Sequence, residues 1–197
     1  MKQIIFLTTI FLINFSVLAQ NKLEKDIDFD GIIDTVYIDN EKSVIVCLLS
    51  SKNFEKTESK PIEILNLQSG ISDAKNGFYF ENNWMRAGYK NQFRYNSKSK
   101  KIQLIGMSRY EFGNASNEGS GESSVNLLTE DYIGNWNYFD HLANNEEGKL
   151  AKIPTIKTKM KFKIINIEGF SDETYFNYGK KCDELYYKHK NIKISEH

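Results

Sequence analysis

The chain has 197 residues, with 26 Lys and Arg against 26 Asp and Glu, so its formal net charge is zero. A neutral chain of this kind gives no indication of a nucleic-acid partner. Without the leader described next, about 178 residues remain, which is enough for one domain with its own core.

An apolar leader opens the chain. Lys2 supplies a positive charge, residues 4–18 are almost entirely apolar, and Ala19 is a small residue of the kind that a signal peptidase accepts. This order is typical of a secretory signal peptide, and the apolar run is shorter than the roughly 20 residues that span a bilayer. We predict a signal peptide over residues 1–19, a periplasmic or secreted protein, and no membrane span after cleavage. An uncleaved anchor is the alternative.

An acidic loop follows. It reads Asp-Ile-Asp-Phe-Asp-Gly-Ile-Ile-Asp over residues 26–34, with carboxylates at positions 1, 3, 5 and 9 and glycine at position 6. Alternate residues of a tight loop converge on one centre, and glycine takes the positive φ that bends the chain back. We predict a calcium site with five ligating residues: Asp26, Asp28, Asp30, Ile32 through its carbonyl, and Asp34. A metal-free turn is the alternative, because Tyr37 stands where helical calcium loops carry a bidentate Glu.

Most of the following chain shows the period-two and β-branched patterns of strands. Residues 92–95 and 102–107 flank a polar turn and predict a hairpin. We predict an all-β, mostly antiparallel fold, with short sheets in a propeller-like or sandwich arrangement. The other predicted strands are 35–38, 43–49, 77–80, 84–89, 123–129 and 157–167.

The C-terminal part is rich in lysine. Four lysines between residues 157 and 163 alternate with uncharged residues, which predicts a half-exposed strand near a sheet edge. Short helical pieces are predicted at 172–178 and within a charged tail over 179–197. The single β domain is therefore predicted to cover residues 20–178.

The two cysteines leave two possibilities open. Export would permit a Cys47–Cys182 disulfide, and closing so long a loop could stabilise the fold by about 4–5 kcal/mol on the chain-entropy model. Cys47 lies in an apolar run, however, so two buried free thiols are the alternative.

Arginine and tryptophan mark a candidate partner surface. The three arginines, Arg86, Arg94 and Arg109, all lie in the central strands of a chain that otherwise uses lysine. A planar guanidinium suits bidentate contacts to carboxylates, so we predict structural ion pairs, with ligand binding as the alternative. Two tryptophans beside asparagines could stack on sugars or belong to the core. The candidate partner surface comprises Trp84, Arg86, Glu111, Glu122 and Trp136, and the candidate arginine partners are Glu81, Glu111 and Glu122.

Motifs for catalysis are scarce. The three histidines lack zinc-site spacing, and no Gly-x-Ser-x-Gly sequence occurs. Glu111 and Glu122 flank a Gly- and Ser-rich segment, residues 113–121, that is predicted to be a mobile loop. Paired carboxylates can hydrolyse glycosidic bonds, so a glycoside hydrolase is the enzyme class that stays open. We predict no catalytic residue and a protein that is not an enzyme.

The central run resembles a known family. Residues 93–95, 103–106, 110–111 and 124–129 look like exported proteins of Gram-negative bacteria that are similar to the periplasmic inhibitor of invertebrate-type lysozyme. The resemblance implies a propeller-like β fold and an Asp-rich calcium loop.

The leading prediction is an exported, calcium-stabilised protein of the cell envelope that binds a protein or glycan, with inhibition of a lysozyme-like hydrolase as one candidate role. The alternative from another class is a carbohydrate-binding module or a glycoside hydrolase that uses carboxylates near residues 113–121. A structural envelope protein without a soluble ligand is the third reading.

Overall fold

The computed structural model describes residues 22–195, so the predicted signal peptide over 1–19 lies outside the described residues. Within this range there are twelve strands, two short 3₁₀ turns at Ser50–Lys52 and Ile167–Gly169, and one helix, α1 (Asp172–Ser195). The strands are β1 (Lys22–Lys25), β2 (Asp34–Asp39), β3 (Val44–Leu48), β4 (Lys56–Glu58), β5 (Gly70–Ala74), β6 (Gly77–Asn83), β7 (Ala87–Asn96), β8 (Lys101–Glu111), β9 (Gly121–Asn126), β10 (Asp131–Asp140), β11 (Lys149–Lys152) and β12 (Ile156–Lys159).

The strands form two antiparallel sheets, which confirms the predicted all-β class. A small sheet has the order β1-β2-β3-β4, and a large sheet runs β5-β6-β7-β8-β9-β10-β11. Strand β12 also pairs with β10, at residues 131–134, while β11 pairs with residues 137–140 of the same strand. Each strand of the large sheet thus pairs mainly with its neighbour in the chain.

The predicted hairpin at 92–95 and 102–107 is confirmed and lies within β7 and β8. Its register shifts between Gln92 and Phe93, so that β8 carries one extra residue opposite this point. The buried residues of β8 are therefore even-numbered before this point, Ile102 and Leu104, and odd-numbered after it, Met107 and Arg109. A bulge of this kind keeps one face of a long strand directed at the core along its whole length.

Helix α1 covers the inner face of the large sheet. Its buried residues Tyr175, Tyr178, Cys182 and Tyr186 recur every three or four positions, which places them on one side of a helix. The rings of Tyr175 and Tyr89 stack with centroids 4.0 Å apart, and the hydroxyls of Tyr178 and Ser123 lie 2.8 Å apart. The core contains side chains from both sheets and from this helix.

Several boundaries differ from the prediction, among them the predicted strand 123–129, which is β9 (Gly121–Asn126) in the structure. The division between a domain over 20–178 and a tail over 179–197 falls inside α1, and Cys182 and Tyr186 of the predicted tail are buried. Regular strand pairing in the predicted strand 157–167 ends at Lys159, and residues 157–159 are all exposed, so the predicted alternation of a half-buried strand is not observed there. The predicted strand 84–89 begins only at Ala87, because residues 84–86 form the turn from β6.

Both cysteines are free and buried, which agrees with the alternative of two buried free thiols and not with a disulfide. Cys47 lies in β3 of the small sheet, whereas Cys182 lies in α1 near the hydroxyl of Ser123, at 3.4 Å. Burial raises the pKa of both thiols, so both stay protonated and act as small apolar side chains of the core.

Candidate functional site

The acidic loop between β1 and β2 is wound around the carboxylate of Asp26. One oxygen of Asp26 accepts hydrogen bonds from the backbone N–H groups of Phe29, at 2.7 Å, and Asp30, at 3.2 Å. The other oxygen accepts from the N–H of Gly31 at 3.0 Å. Gly31 has φ +88°, the positive value that the sequence predicts for this position. The side chain of Asp26, at the first position of the loop, thus fixes the turn that brings the carboxylates of Asp28 and Asp34 close to its own.

Asp34 anchors the other end of the loop. It is the first residue of β2, it is fully buried, and its carboxylate accepts three backbone N–H groups. These belong to Ile27 at 2.7 Å, Asp28 at 3.2 Å and Ser50 at 2.8 Å. The carboxylate therefore joins the start of the loop to the 3₁₀ turn that follows β3.

Three of the predicted carboxylates converge. One oxygen from each of Asp26, Asp28 and Asp34 lies within 4.8 Å of the others. Oδ1 of Asp28 is buried and has no hydrogen-bond partner among the described residues. Like charges at this spacing repel, and a buried oxygen without a donor is costly. The arrangement could hold a metal ion, because a cation would neutralise the charges and give Asp28 Oδ1 its partner.

Asp30 and Ile32 are placed differently from the other predicted ligands. The carboxylate of Asp30 lies outside the group of three and accepts hydrogen bonds from Ser50 Oγ, at 2.7 Å, and from the N–H of Ile32, at 2.9 Å. The bond from Ser50 is the main cause that lowers the pKa of Asp30, and the bond from Ile32 adds to it. The Ile32 side chain is exposed, and its carbonyl remains only a predicted ligand.

Two serines that the sequence did not single out support the loop. Ser50 Oγ donates to Asp30, and Ser51 Oγ donates to Asp28. Both serines lie in the 3₁₀ turn after β3, about twenty residues along the chain from the carboxylates they contact. The β2–β3 hairpin brings them there, and nothing in the local sequence of either serine indicates the contact.

The two tryptophans of the candidate partner surface are used in packing. Trp84 is half-buried, with its ring 5.5 Å from that of Tyr89 and 5.7 Å from that of Tyr175. Trp136 is 4% exposed, and its indole N–H donates to the hydroxyl of Tyr132 at 3.1 Å. Neither ring offers an open face for stacking on a sugar.

Glu111 and Glu122 lie on opposite faces of the large sheet. Glu111 pairs in register with Gly121, while Glu122 pairs with Tyr110. Glu111 accepts a hydrogen bond from Arg109 on the helix side, whereas Glu122 lines a cavity on the outer side. The carboxylate pair considered from the sequence therefore cannot face one substrate.

Two arginines make contacts within the chain. Arg86 donates to the backbone carbonyls of Phe112, Gly113 and Asn114, which holds the start of the segment 113–121. Arg109 is 8% exposed and pairs with Glu111 on β8 and with Asp183 on α1, at 3.2 Å. Glu111 is one of the three partners considered for the arginines. Arg94 is half-buried on β7.

A small polar cleft lies where α1 meets the end of β8. Glu111, Glu118 and Asp183 contribute carboxylates to its wall. Burial opposes ionisation of Glu118, but hydrogen bonds from Lys190 and Tyr186, both at 2.5 Å, lower its pKa overall. An ionised Glu118 is unsuited to act as a general acid. The cleft has a volume of about 220 Å³, below the range of about 300–1,000 Å³ usual for small-molecule sites.

The outer face of the large sheet, opposite α1, carries two adjoining cavities of about 360 and 510 Å³. Their shared wall includes Lys90, Ser108 and Ser124. Lys90 forms an ion pair with Glu81 at 2.8 Å, and its ammonium lies 4.1 Å from the centroid of the Tyr79 ring. Burial raises the pKa of Glu81, but hydrogen bonds from Lys90 and Ser72 lower it overall.

Comparisons of the chain with family models, with curated proteins and with solved structures found no match. The resemblance of residues 93–129 to exported inhibitor-like proteins therefore stays a prediction. In the described part of the chain, no helix is long and apolar enough to cross a membrane.

Proposed function

We propose that this chain is an exported binding protein of the cell envelope whose small sheet is stabilised by a calcium ion in the acidic loop. The observation that carries the proposal is the convergence of Asp26, Asp28 and Asp34, with a buried oxygen of Asp28 that lacks a donor. Carboxylate oxygens are the ligands that calcium prefers. The loop lacks a bidentate Glu, so we expect a Kd of about 10⁻⁴–10⁻³ M, typical of extracellular modules.

The position of the loop supports a stabilising role for the ion. The carboxylate of Asp34, at the start of β2, accepts hydrogen bonds from the N–H of Ile27, just after β1, and from the N–H of Ser50, in the turn after β3, so a bound ion would tie the ends of these strands together. None of the residues that line the outer face of the large sheet comes from the loop. The metal site and the candidate binding surface are therefore separate, and an ion in the loop would not contact a partner bound on the outer face.

Binding is proposed to take place on the outer face of the large sheet. Its serines, Ser108 and Ser124, the Glu81–Lys90 pair and the Tyr79 ring offer hydrogen-bonding and aromatic groups on a surface that α1 leaves uncovered. A protein or glycan of the envelope is the proposed partner, and inhibition of a lysozyme-like hydrolase is one form that such binding could take.

Calcium titration with thermal unfolding tests the metal proposal. With a Kd of about 10⁻⁴ M, 1 mM free calcium should stabilise the wild-type chain by roughly 1.4 kcal/mol. Asp28→Asn should abolish this shift, because it removes the charge beside the buried oxygen. The same change should stabilise the metal-free protein slightly, since it relieves repulsion from Asp26 and Asp34.

Asp39→Asn is the matched control, since Asp39 caps the β2–β3 turn outside the cluster. It should lower stability equally with and without calcium and leave the calcium shift intact. An unchanged melting temperature of the wild type at millimolar calcium would show that the loop is metal-free.

Addition of the protein to a lysozyme assay tests the inhibitor reading separately: saturable inhibition that is lost in Lys90→Ala would support binding through the outer face.

A further inference from the structure

A second concave surface, the lysine groove, lies between residues 159–161 and helix α1. Its volume is about 300 Å³. Its floor contains the apolar side chains of Met160 and Leu185. The charged residues that line it are Lys159, Lys161, Lys181, Lys188 and Glu184.

Two local patterns place these lysines together. Lys159 and Lys161 are exposed on either side of buried Met160, so the alternation of this segment directs them outward. On α1, Lys181, Glu184, Leu185 and Lys188 have the spacing of a single helical stripe. The neutral total charge of the chain thus conceals a local excess of positive charge.

The positive charge of the groove is only partly neutralised. Lys159 pairs with Asp131 at 2.7 Å and Lys161 with Glu130 at 3.9 Å, but these are exposed pairs, which contribute little to stability and exchange readily. Among the described residues, neither Lys181 nor Lys188 has a carboxylate within ion-pair distance. Lys181 lies instead 5.6 Å from the centroid of the Phe162 ring. Four lysines and Glu184 therefore line the groove, and two of these lysines are also paired with Asp131 and Glu130 at its edge.

The chemistry of the groove indicates its ligand. Lysines are point charges without the planar fork of arginine, so they attract anionic groups without fixing their orientation. None of the residues that line the groove is Trp, Tyr or Arg, the usual anchors of protein–protein interfaces and of base stacking. A concave groove also fits a chain better than the flat surface of a bilayer. We propose that the lysine groove binds a linear acidic polysaccharide, whose charged groups meet the lysines while a sugar ring lies against the half-buried side chain of Leu185.

This inference extends the proposed binding function to a second surface and is independent of the metal site. Binding of a dextran sulfate oligosaccharide to the full chain tests it, with uncharged dextran of the same length as the reference. Wild type should bind the sulfated chain and not the neutral one. Counterion release from about three lysines predicts a loss of roughly 20- to 40-fold in affinity between 50 and 200 mM salt.

Variants locate the binding. Lys161→Gln combined with Lys188→Gln should weaken affinity at least tenfold, while Lys56→Gln combined with Lys98→Gln, an equal loss of charge at exposed positions elsewhere, should change it less than twofold. Glu184→Gln removes the single carboxylate of the lining and should strengthen binding severalfold. Thermal unfolding of each variant verifies that it is folded.

Other outcomes overturn the proposal. Equal weakening by both lysine pairs would show diffuse attraction instead of a groove. Tighter binding of anionic vesicles, of an acidic peptide or of an oligonucleotide, lost in the groove variants, would assign the groove to a different partner class. A calcium shift in the melting temperature without any dextran sulfate binding would leave the metal proposal standing and refute only this inference.

Discussion

Two buried charged residues, Asp34 and Arg109, are stabilised in different ways. Asp34 accepts three backbone N–H groups, two from the acidic loop and one from the turn after β3, so its charge is stabilised by peptide dipoles. Arg109 forms ion pairs with Glu111 on the same strand and with Asp183 on the helix. It also donates a hydrogen bond to the carbonyl of Gly179. Asp34 therefore secures a loop within one sheet, whereas Arg109 joins the large sheet to α1.

Replacement of Arg109 by lysine is expected to destabilise the fold by about 1–3 kcal/mol, because an ammonium cannot reach Glu111, Asp183 and Gly179 together, so that charge-assisted hydrogen bonds between the sheet and the helix are lost. Urea unfolding measures the change. Arg86→Lys is the control, since Arg86 is exposed and its loss should cost less than about 1 kcal/mol. Unchanged stability of Arg109→Lys, together with loss of partner binding, would assign Arg109 to the binding surface.

Among the elements, helix α1 extends the folded domain beyond its predicted end at residue 178. Tyr186 and Tyr187 are neighbours in the chain, yet Tyr186 is 6% exposed against Trp136 and Glu118 while Tyr187 is 59% exposed. Tyr186→Ala should cost about 3 kcal/mol or more, by loss of a buried ring, whereas Tyr187→Ala should stay within about 0.5 kcal/mol. Chemical unfolding of the two variants compares them directly; equally small effects would mean that this part of the helix is a detachable tail.

The hairpin of β7 and β8 was predictable because its side chains alternate in a simple way, whereas β10 was not among the predicted strands although its buried and exposed residues alternate. The continuous helix was not predicted, because its buried face consists of tyrosines and a cysteine among many lysines and lacks the leucines that mark an apolar stripe. The register shift at Gln92 depends on pairing with β8, so the sequence around Gln92 does not indicate it.

For the candidate site, the sequence indicated the Asp carboxylates through their spacing within nine residues. The structure groups three of them and leaves Asp30 outside. The contributions of Ser50 and Ser51 depend on a hairpin that folds back over the loop, so they could be found only in the structure. The same holds for Glu111 and Glu122, whose separation by the sheet follows from strand register.

For the whole molecule, acid should weaken the fold through carboxylates whose pKa is lowered. Glu118 and Glu81 both have pKa values below the ordinary 4.5 in the folded state. A lowered pKa contributes stability that is present above the unfolded value and is lost as the pH falls through the folded value. Urea unfolding between pH 7 and pH 3 should therefore show a steady decline below about pH 4.5.

Glu118→Gln isolates one of these contributions. The variant should be less stable than wild type at pH 7, because the bonds from Lys190, Tyr186 and the Phe139 N–H lose their charged acceptor. The difference should shrink as the pH falls through the lowered pKa of Glu118, because the wild-type carboxylate is then itself protonated. Glu55→Gln, at an exposed position, should follow the wild-type curve throughout. A difference that is constant with pH would show that Glu118 acts through packing and not through its charge.

The order of the elements along the chain also affects when the molecule can finish folding. From β5 to β11 each strand pairs with its predecessor, so hairpins can form one after another during synthesis. The inner face of the large sheet, however, is covered by α1, which follows every strand. Until the ribosome has made the residues through Tyr186, that apolar face has no cover and the stable state is out of reach. Such a delay keeps the nascent chain unfolded for longer, which suits threading through the export channel that its leader predicts.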